Sequence, residues 1–276
     1  MAPSFVLVPA APLRGEAWIT TLDVGQGLAV VVRTANRTLL YDAGPTFGPE
    51  ADSGGRIVLP VLRGAGLSRL DAMVLSHEDM DHIGGALTVL ESLEVDALAS
   101  SLPARHPLNA LAGATQRCAS GMAWQWDGVR FEFLHPVREA EARRRNDLSC
   151  VLRIASDGGS MLLTGDIERS AEKSLVETTQ SVKSDVLLVP HHGSRTSSTP
   201  DFIAAVAPRW AVVPVGYRSR FGHPSGEVLE RYRAAGAHIL RTDVDGAVQV
   251  HLMNKGVRVD TGRASMPRYW RTPPPV

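Results

Sequence analysis

Four side chains that can bind a metal ion, His77, Asp79, Asp81 and His82, fall within six consecutive residues of the run Ser76-His77-Glu78-Asp79-Met80-Asp81-His82-Ile83-Gly84-Gly85. Imidazole and carboxylate groups at this density can converge on two neighbouring cations, as a binuclear hydrolytic site requires. Two cations about 3.5–4 Å apart activate water and neutralise the charge that builds on a phosphorane. Hydrolysis, and phosphodiester hydrolysis in particular, is therefore the chemistry the run suits. A solvated acidic loop with satisfied histidines is the competing reading, and the ligand density argues against it. Gly84-Gly85 lets the backbone pass close to such a site and lets the next helix start tightly.

Three further segments carry polar residues of the right type: Tyr41-Asp42-Ala43-Gly44, Leu163-Thr164-Gly165-Asp166 and Val189-Pro190-His191-His192-Gly193-Ser194. Taken singly, Asp42 and Asp166 read as turn residues as readily as functional ones. His223, in Phe221-Gly222-His223-Pro224-Ser225, is either a surface turn histidine or a general acid or phosphate donor. Ser194, Arg195, Thr196 and Ser197 can bind phosphate oxygens or simply cap the next helix. Asp23 and Gln26 shape the first turn, with Gln26 within reach of a site mouth.

The elements that must hold these residues follow from the apolar pattern. Short β-type runs at Trp18–Leu22, Ala29–Arg33 and Thr38–Tyr41, joined by turn residues, open a sheet. Ala72–Leu75 reads as a buried strand that delivers Ser76 and His77 at its end. A helix is expected over Ile57–Leu62 and another from about Ile83 to Leu93, where Leu87, Leu90 and Leu93 have helical spacing. Strands are expected at Val95–Ala99, Val129–Leu134, Ser149–Ala155, Ser160–Leu163, Asp185–Pro190, Trp210–Val215 and Ala247–Leu252, with helices at Glu168–Thr178 and Glu227–Ala235. Gly158-Gly159 marks a hairpin. Trp124 and Trp126 alternate as in a strand and are expected to pack. The order gives an α/β chain of two sheets face to face with helices outside, an αβ/βα four-layer sandwich.

The run around His77 resembles the metallo-β-lactamase superfamily signature His-x-His-x-Asp-His, with Asp79 in place of the second His. The other superfamily landmarks follow in order. The resemblance implies that Asp42 orients the metal loop, that Asp166 bridges both metals, and that the fifth motif supplies a histidine. Val-Pro-Gly-His-Gly is the frequent form of that motif, which puts the ligand on His192 and leaves His191 as a competing ligand or a substrate contact. The third motif normally offers a histidine. Arg145-Asn146-Asp147-Leu148-Ser149 stands there instead, so Asn146, Asp147 or water is expected to substitute. His135, before Pro136, reads as structural.

A narrower likeness spans nearly the whole chain. Leu22-Asp23-Val24-Gly25-Gln26-Gly27, the metal-ligand run, His191-His192-Gly193-Ser194 and Phe221-Gly222-His223-Pro224-Ser225 resemble the C-terminal metallo-β-lactamase-like domain of the ComEC family, the DNA-uptake channel proteins of competent bacteria. The resemblance implies a nuclease that degrades one strand of incoming DNA, with Asp81, Asp166 and His223 as catalytic residues. It implies two divalent metal ions, and Asp79 hardens the ligand set toward manganese without excluding zinc. Its expected partners are DNA and the transmembrane channel portion of the same parent protein, at the inner membrane, with the domain on the periplasmic side. The fold also hosts lactonases, esterases and other phosphodiesterases, and the absent third-motif histidine leaves room for a non-catalytic DNA-binding domain.

Composition bounds these expectations. The 276 residues suit one large domain or two small ones, and 44% apolar content supports a substantial core. A formal net charge of zero gives nucleic-acid binding no help from bulk charge, so any such surface must be local. Arg143-Arg144-Arg145 is its best sequence candidate, or else a solvated loop. Aromatic residues make up only 5%, which argues against an extended base-stacking platform. Cys118 and Cys150 either pair or stay free. No run approaches the ~18 apolar residues of a membrane span. Residues 1–15 read as a linker remnant, 16–262 as the hydrolase domain and 263–276 as a mobile tail. Oligomeric state stays open.

Overall fold

The computed structural model describes residues 10–137, 145–179 and 181–265. Two large sheets form its centre. The first takes β1 (Ala17–Thr21), β2 (Val30–Arg33), β3 (Thr38–Tyr41), β4 (Ala72–Leu75), β5 (Ala97–Ser100) and β6 (Ala114–Arg117). The second takes β7 (Ala123–Trp126), β8 (Val129–His135), β9 (Val151–Ser156), β10 (Gly159–Leu163), β11 (Val186–Leu188), β12 (Trp210–Val213) and β13 (His238–Arg241). The chain then returns to the first sheet as β14 (Val248–Met253), which pairs with β1, and β15 (Gly256–Thr261).

Period-two burial explains why the sheets stack. Val30, Val32, Leu39, Tyr41 and Val74 from the first sheet meet Phe131, Phe133, Leu152, Ile154 and Met161 from the second in one core. The residues between them face outward, yet they are also apolar: Leu40, Met73 and Leu75 on one side, Leu162, Leu187 and Val213 on the other. Strands buried on both faces need helices outside. Leu59 and Leu62 of α1 (Leu59–Gly64) cover the first sheet, after α2 (Met80–Ile83) joined by Ala86, Val89 and Leu90 of α3 (Ala86–Ser92). α4 (Arg169–Thr178), α5 (Pro200–Val206) and α6 (Gly226–Ala234) cover the second through Leu175, Phe202 and Tyr232. The result is the αβ/βα sandwich expected from the order of elements.

The expected helix from Ile83 to Leu93 is instead two pieces, broken at Gly84-Gly85. A Cβ on Gly85 would lie 2.3 Å from Gly54 N and 2.5 Å from Ala43 O, so the backbone passes there only as glycine. The first piece begins at Met80, after Asp79 in extended conformation, which places Asp81 and His82 in a helical turn and not in an extended loop.

Cys118 and Cys150 are bonded, joining the end of β6 to the segment entering β9. The bond therefore ties the two sheets together beside the second sheet's approach to His77. Replacing both cysteines by Ser is expected to lower stability by about 3–4 kcal/mol, the loop-closure value for a separation of 32 residues. Urea unfolding with and without reductant measures it; equal midpoints for wild type and variant under oxidising conditions would contradict it.

Trp124 stacks on Phe131 at 5.1 Å within the inter-sheet core, as the strand reading of that segment implied. Among the described residues no helix is long and apolar enough to cross a membrane. Residues 1–9 and 266–276, which hold most of the expected linker remnant and mobile tail, lie outside the described residues, as do Arg143 and Arg144.

Candidate metal centre

Strands β3, β4 and β5 run parallel, as do β10 to β13, and their C-terminal ends lie at one edge of the sandwich. Asp42 follows β3, His77 follows β4, Asp166 follows β10, and His191-His192 follow β11. Each segment thus leaves a rigid strand at the site, which accounts for the convergence of residues far apart in sequence.

Asp81, His82, Asp166 and His192 bring one ligand atom each to within 4.8 Å of one another. His82 Nε2 lies 3.1 Å from Asp166 Oδ1, and His192 Nε2 lies 3.3 Å from Asp81 Oδ2 and 3.6 Å from Asp166 Oδ2. His77 Nε2 lies 3.6 Å from Asp79 Oδ2, on the neighbouring side of the His82 ring. His191 Nε2 is 3.8 Å from Asp166 Oδ2, at the rim.

The second nitrogen of each imidazole shows what this cluster is built for. His82 Nδ1 donates to Asp42 Oδ2 at 2.7 Å, and His192 Nδ1 donates to Pro214 O at 2.7 Å. His77 Nδ1 lies 3.0 Å from Ser76 Oγ, whose own proton goes to Asp42 Oδ2 at 2.7 Å. These partners fix the Nδ1–H tautomer in all three rings. Every Nε2 then presents a lone pair inward, and His77 Nε2, His82 Nε2 and His192 Nε2 are buried with no hydrogen-bond partner. Buried acceptors left unpaired are costly in a native interior, and bound cations would satisfy them.

The electrostatics agree. Burial opposes charge on His82, but the Asp166 and Asp42 carboxylates outweigh it and hold its pKa well above the ordinary value. Burial opposes the Asp81 carboxylate too, yet His192 and His82 bring it down to about 2. Asp166 is likewise held well below the usual carboxylate range, against burial, by His82 and His192. These directions show that the carboxylates favour positive charge beside them. Nitrogen and carboxylate oxygen donors of this kind fit divalent manganese or zinc.

The surrounding residues divide into those that build the site and those that line it. Asp42 is fully buried, has φ +55°, and also accepts Ser76 N at 2.7 Å. His191 and His192 have φ of +50° and +54°, so three left-handed non-glycine residues cluster at the site, which is where backbone strain collects in functional centres. Leu28 N donates to Asp81 O, and a Cβ on Gly27 would lie 2.3 Å from that oxygen. The first turn, with Gln26, thereby docks directly on the metal run.

Several expected residues do not face the ligands. Asp147 accepts Glu168 N at 3.0 Å and the Ser170 hydroxyl, so its carboxylate holds the start of α4 and does not replace the third-motif histidine. Asn146 is half-buried on the same turn and is outside the ligand group. Ser149, which sequence reasoning missed, faces the site instead: its Oγ accepts Asp166 N at 3.1 Å and lies 3.4 Å from His77 Nδ1. Ser194 Oγ is engaged by Thr196 Oγ1 and Thr196 N, and Ser197 Oγ donates to Pro190 O, so these hydroxyls shape their own loop. Thr199 is the residue that caps α5. Arg145 pairs with Glu78 at 2.7 Å. His135 donates to Asp147 O at 2.7 Å and is structural, as expected. His223 stands at the rim, its ring 5.7 Å from that of His191, with its pKa lowered by burial and by His191 and His192.

Comparison with known proteins places this geometry. The description of the metallo-beta-lactamase superfamily matches residues 22–217. Competence protein ComA of Neisseria gonorrhoeae is 41% identical over 96% of this chain and 36% of its own length. Recombination protein 2 of Haemophilus influenzae is 32% identical over 94% of this chain and 32% of its own. The chain thus spans about a third of the length of these curated relatives. Among solved structures, the metallo-beta-lactamase fold protein YhfI from Bacillus subtilis superposes with a TM-score of 0.53 over 82% of this chain and 96% of its own, at 12% identity, a likeness of fold alone.

Proposed function

Because the chain belongs to the metallo-β-lactamase superfamily, we propose that it is a metal-dependent nuclease that hydrolyses phosphodiester bonds and degrades one strand of incoming DNA during natural transformation. The observation that carries the metal chemistry is the trio of buried, unpartnered Nε2 atoms facing Asp81 and Asp166. The competence name of a relative 41% identical over nearly the whole chain supports the biological setting.

Asp81, His82, His192 and Asp166 would hold one cation; His77, Asp79 and a shared Asp166 would hold the second. Bound there, divalent cations supply Lewis acidity and lower the pKa of the attacking water. The chain's own residues do the rest. Asp42 and Ser76 lock the ring orientations, and Ser149 fixes the backbone of Asp166. Asp81, at the solvent side of the group, would orient the attacking water. His223 at the rim can hold a phosphate oxygen or protonate the leaving oxygen.

The Cys118–Cys150 bond supports an oxidising compartment, in keeping with a periplasmic position beside the channel portion of a longer parent protein. DNA and that channel portion are the proposed partners. Labelled single- and double-stranded DNA, incubated with manganese, zinc or EDTA beside an Asp81→Ala control, tests the activity. Metal-dependent cleavage lost in EDTA and in the variant is expected. DNA that survives every metal, while the folded protein retains metal, would overturn the nuclease assignment.

A further inference from the structure

A cleft of about 760 Å³ opens beside the metal centre, and Asp81 is the one carboxylate in its lining. This volume is in the roughly 300–1,000 Å³ range of ligand sites. Its walls come from four separate segments: the first turn with Gln26, the Pro45-Thr46-Phe47 stretch, Met80 and Asp81 of the metal run, and the loop Gly216–Phe221 that follows β12. Large apolar side chains usually turn inward, but here they do not: Tyr217 is 74% exposed, Phe221 and Met80 55%, and Phe47 45%. A cationic group accompanies each ring. The Arg218 guanidinium lies 5.2 Å from the Tyr217 ring centroid, Arg220 lies 4.9 Å from that of Phe221, and Arg56 lies 5.9 Å from that of Phe47.

The array leads to the ligands. Phe221 lies nearly parallel to His223, with ring centroids 6.1 Å apart, and His223 is next to His191, which faces Asp166.

We propose that this cleft binds single-stranded polynucleotide, with bases stacking on Tyr217, Phe221 and Phe47 and the backbone phosphates on Arg218, Arg220 and Arg56. The argument is one of chemical complementarity. Alternating rings and guanidinium groups suit a chain that alternates bases and phosphates. Bases within a duplex are already stacked on one another and offer no faces to these rings, so a single strand is the matching form. The local charge also answers the zero net charge of the chain, because Arg218 and Arg220 line the cleft where a phosphate chain would pass, with Arg56 beside the Phe47 ring. The proposal deepens the nuclease reading by assigning its substrate form, and it rests on that reading for the consequence that the bound strand is the one cut.

Binding is measured apart from cleavage, by fluorescence anisotropy of a labelled oligothymidylate in EDTA. Tyr217→Ala and Phe221→Ala are each expected to weaken single-strand binding by roughly 5- to 150-fold, the range for loss of one base-stacking ring, while Phe221→Trp retains it. The Arg218→Ala/Arg220→Ala double variant is expected to flatten the log–log salt dependence by about 1.4, the value for two phosphate contacts on a single strand. These side chains are exposed, so unchanged thermal melting is the control for folding. Unchanged affinity in the ring variants, or a blunt duplex of equal length bound as tightly as the single strand, would overturn the proposal. The two readings fail separately. Single-strand binding that needs the rings, without any cleavage in metal, removes the nuclease assignment and keeps the cleft. Cleavage with an unchanged KM for oligonucleotide in the ring variants does the reverse.

Discussion

Replacing Asp166 by Ala is expected to strip the centre of metal and to cut phosphodiester hydrolysis by at least ~10³-fold. One carboxylate there faces three imidazoles from two segments: His82 at 3.1 Å, and His192 at 3.6 Å and His191 at 3.8 Å from the turn after β11. No other acidic side chain in the group is as buried, so none can move in to replace it. A bound cation stabilises the charged transition state by several kcal/mol, and each ~1.4 kcal/mol is a factor of ten in rate. The folded variant should therefore show both losses together. Metal content by mass spectrometry and initial rates on a labelled oligonucleotide measure them, and full activity with normal metal content would refute the role of Asp166.

Asp42 carries the second large effect, although it touches no cation. Its two oxygens accept Ser76 N, Ser76 Oγ and His82 Nδ1, each at 2.7 Å. Asp42→Ala leaves these buried donors without an acceptor, at a cost of about 1–3 kcal/mol for each group that stays unsatisfied. It should also lower metal affinity by roughly 10- to 100-fold, the usual consequence of losing the partner that orients a ligating imidazole. Asp42→Asn separates the two effects. An asparagine oxygen can still accept Ser76 N, but a side-chain amide group turned to His82 would favour the tautomer with its proton on Nε2, aimed into the site. The Asn variant is thus expected to keep most of the stability and still lose metal affinity. Chemical denaturation beside metal titration reads both, and an Asn variant that binds metal as wild type does would show that the tautomer argument fails.

How much of this could be read from the amino-acid sequence depended on the kind of signal. The ligand run was legible because metal-binding side chains are scarce in such density, whereas Asp42, Asp166 and the His191-His192 pair were singled out by their order along the chain and by the family resemblance. The stacking of two sheets was legible because β3, β4, β10 and β11 are apolar on both faces. The edge strand β6 (Ala-Thr-Gln-Arg) was not, since all four of its residues are exposed and carry no burial pattern. β15 was missed because its residues are only half-buried against β14. The helix over Ile83–Leu93 was expected whole because periodicity ignores backbone approach; Gly84-Gly85 packs against the Pro45 and Gly54 segments, and only the fold reveals those neighbours.

The third-motif substitution shows the limit most clearly. Asn146 and Asp147 have ligand chemistry, while Ser149 does not advertise any. The turn aims Asp147 at Glu168 N and the Ser170 hydroxyl, and Ser149 at His77 and Asp166, a matter of side-chain direction that spacing does not encode. The cleft was illegible for a different reason. Phe47, Tyr217 and Phe221 lie some 170 residues apart at the extremes, so a low aromatic content gave no sign of the exposed rings that the fold gathers at one cleft.

Anomalous X-ray scattering from crystals soaked in manganese, recorded on either side of the manganese absorption edge, tests most directly whether these residues form a metal centre. Peaks are expected among Asp81, His82, Asp166 and His192 and, beside them, next to His77 and Asp79. Crystals of the folded protein with no anomalous peak within bonding distance of the three inward Nε2 atoms, or with metal only elsewhere on the surface, would contradict the assignment of the site and the chemistry built on it.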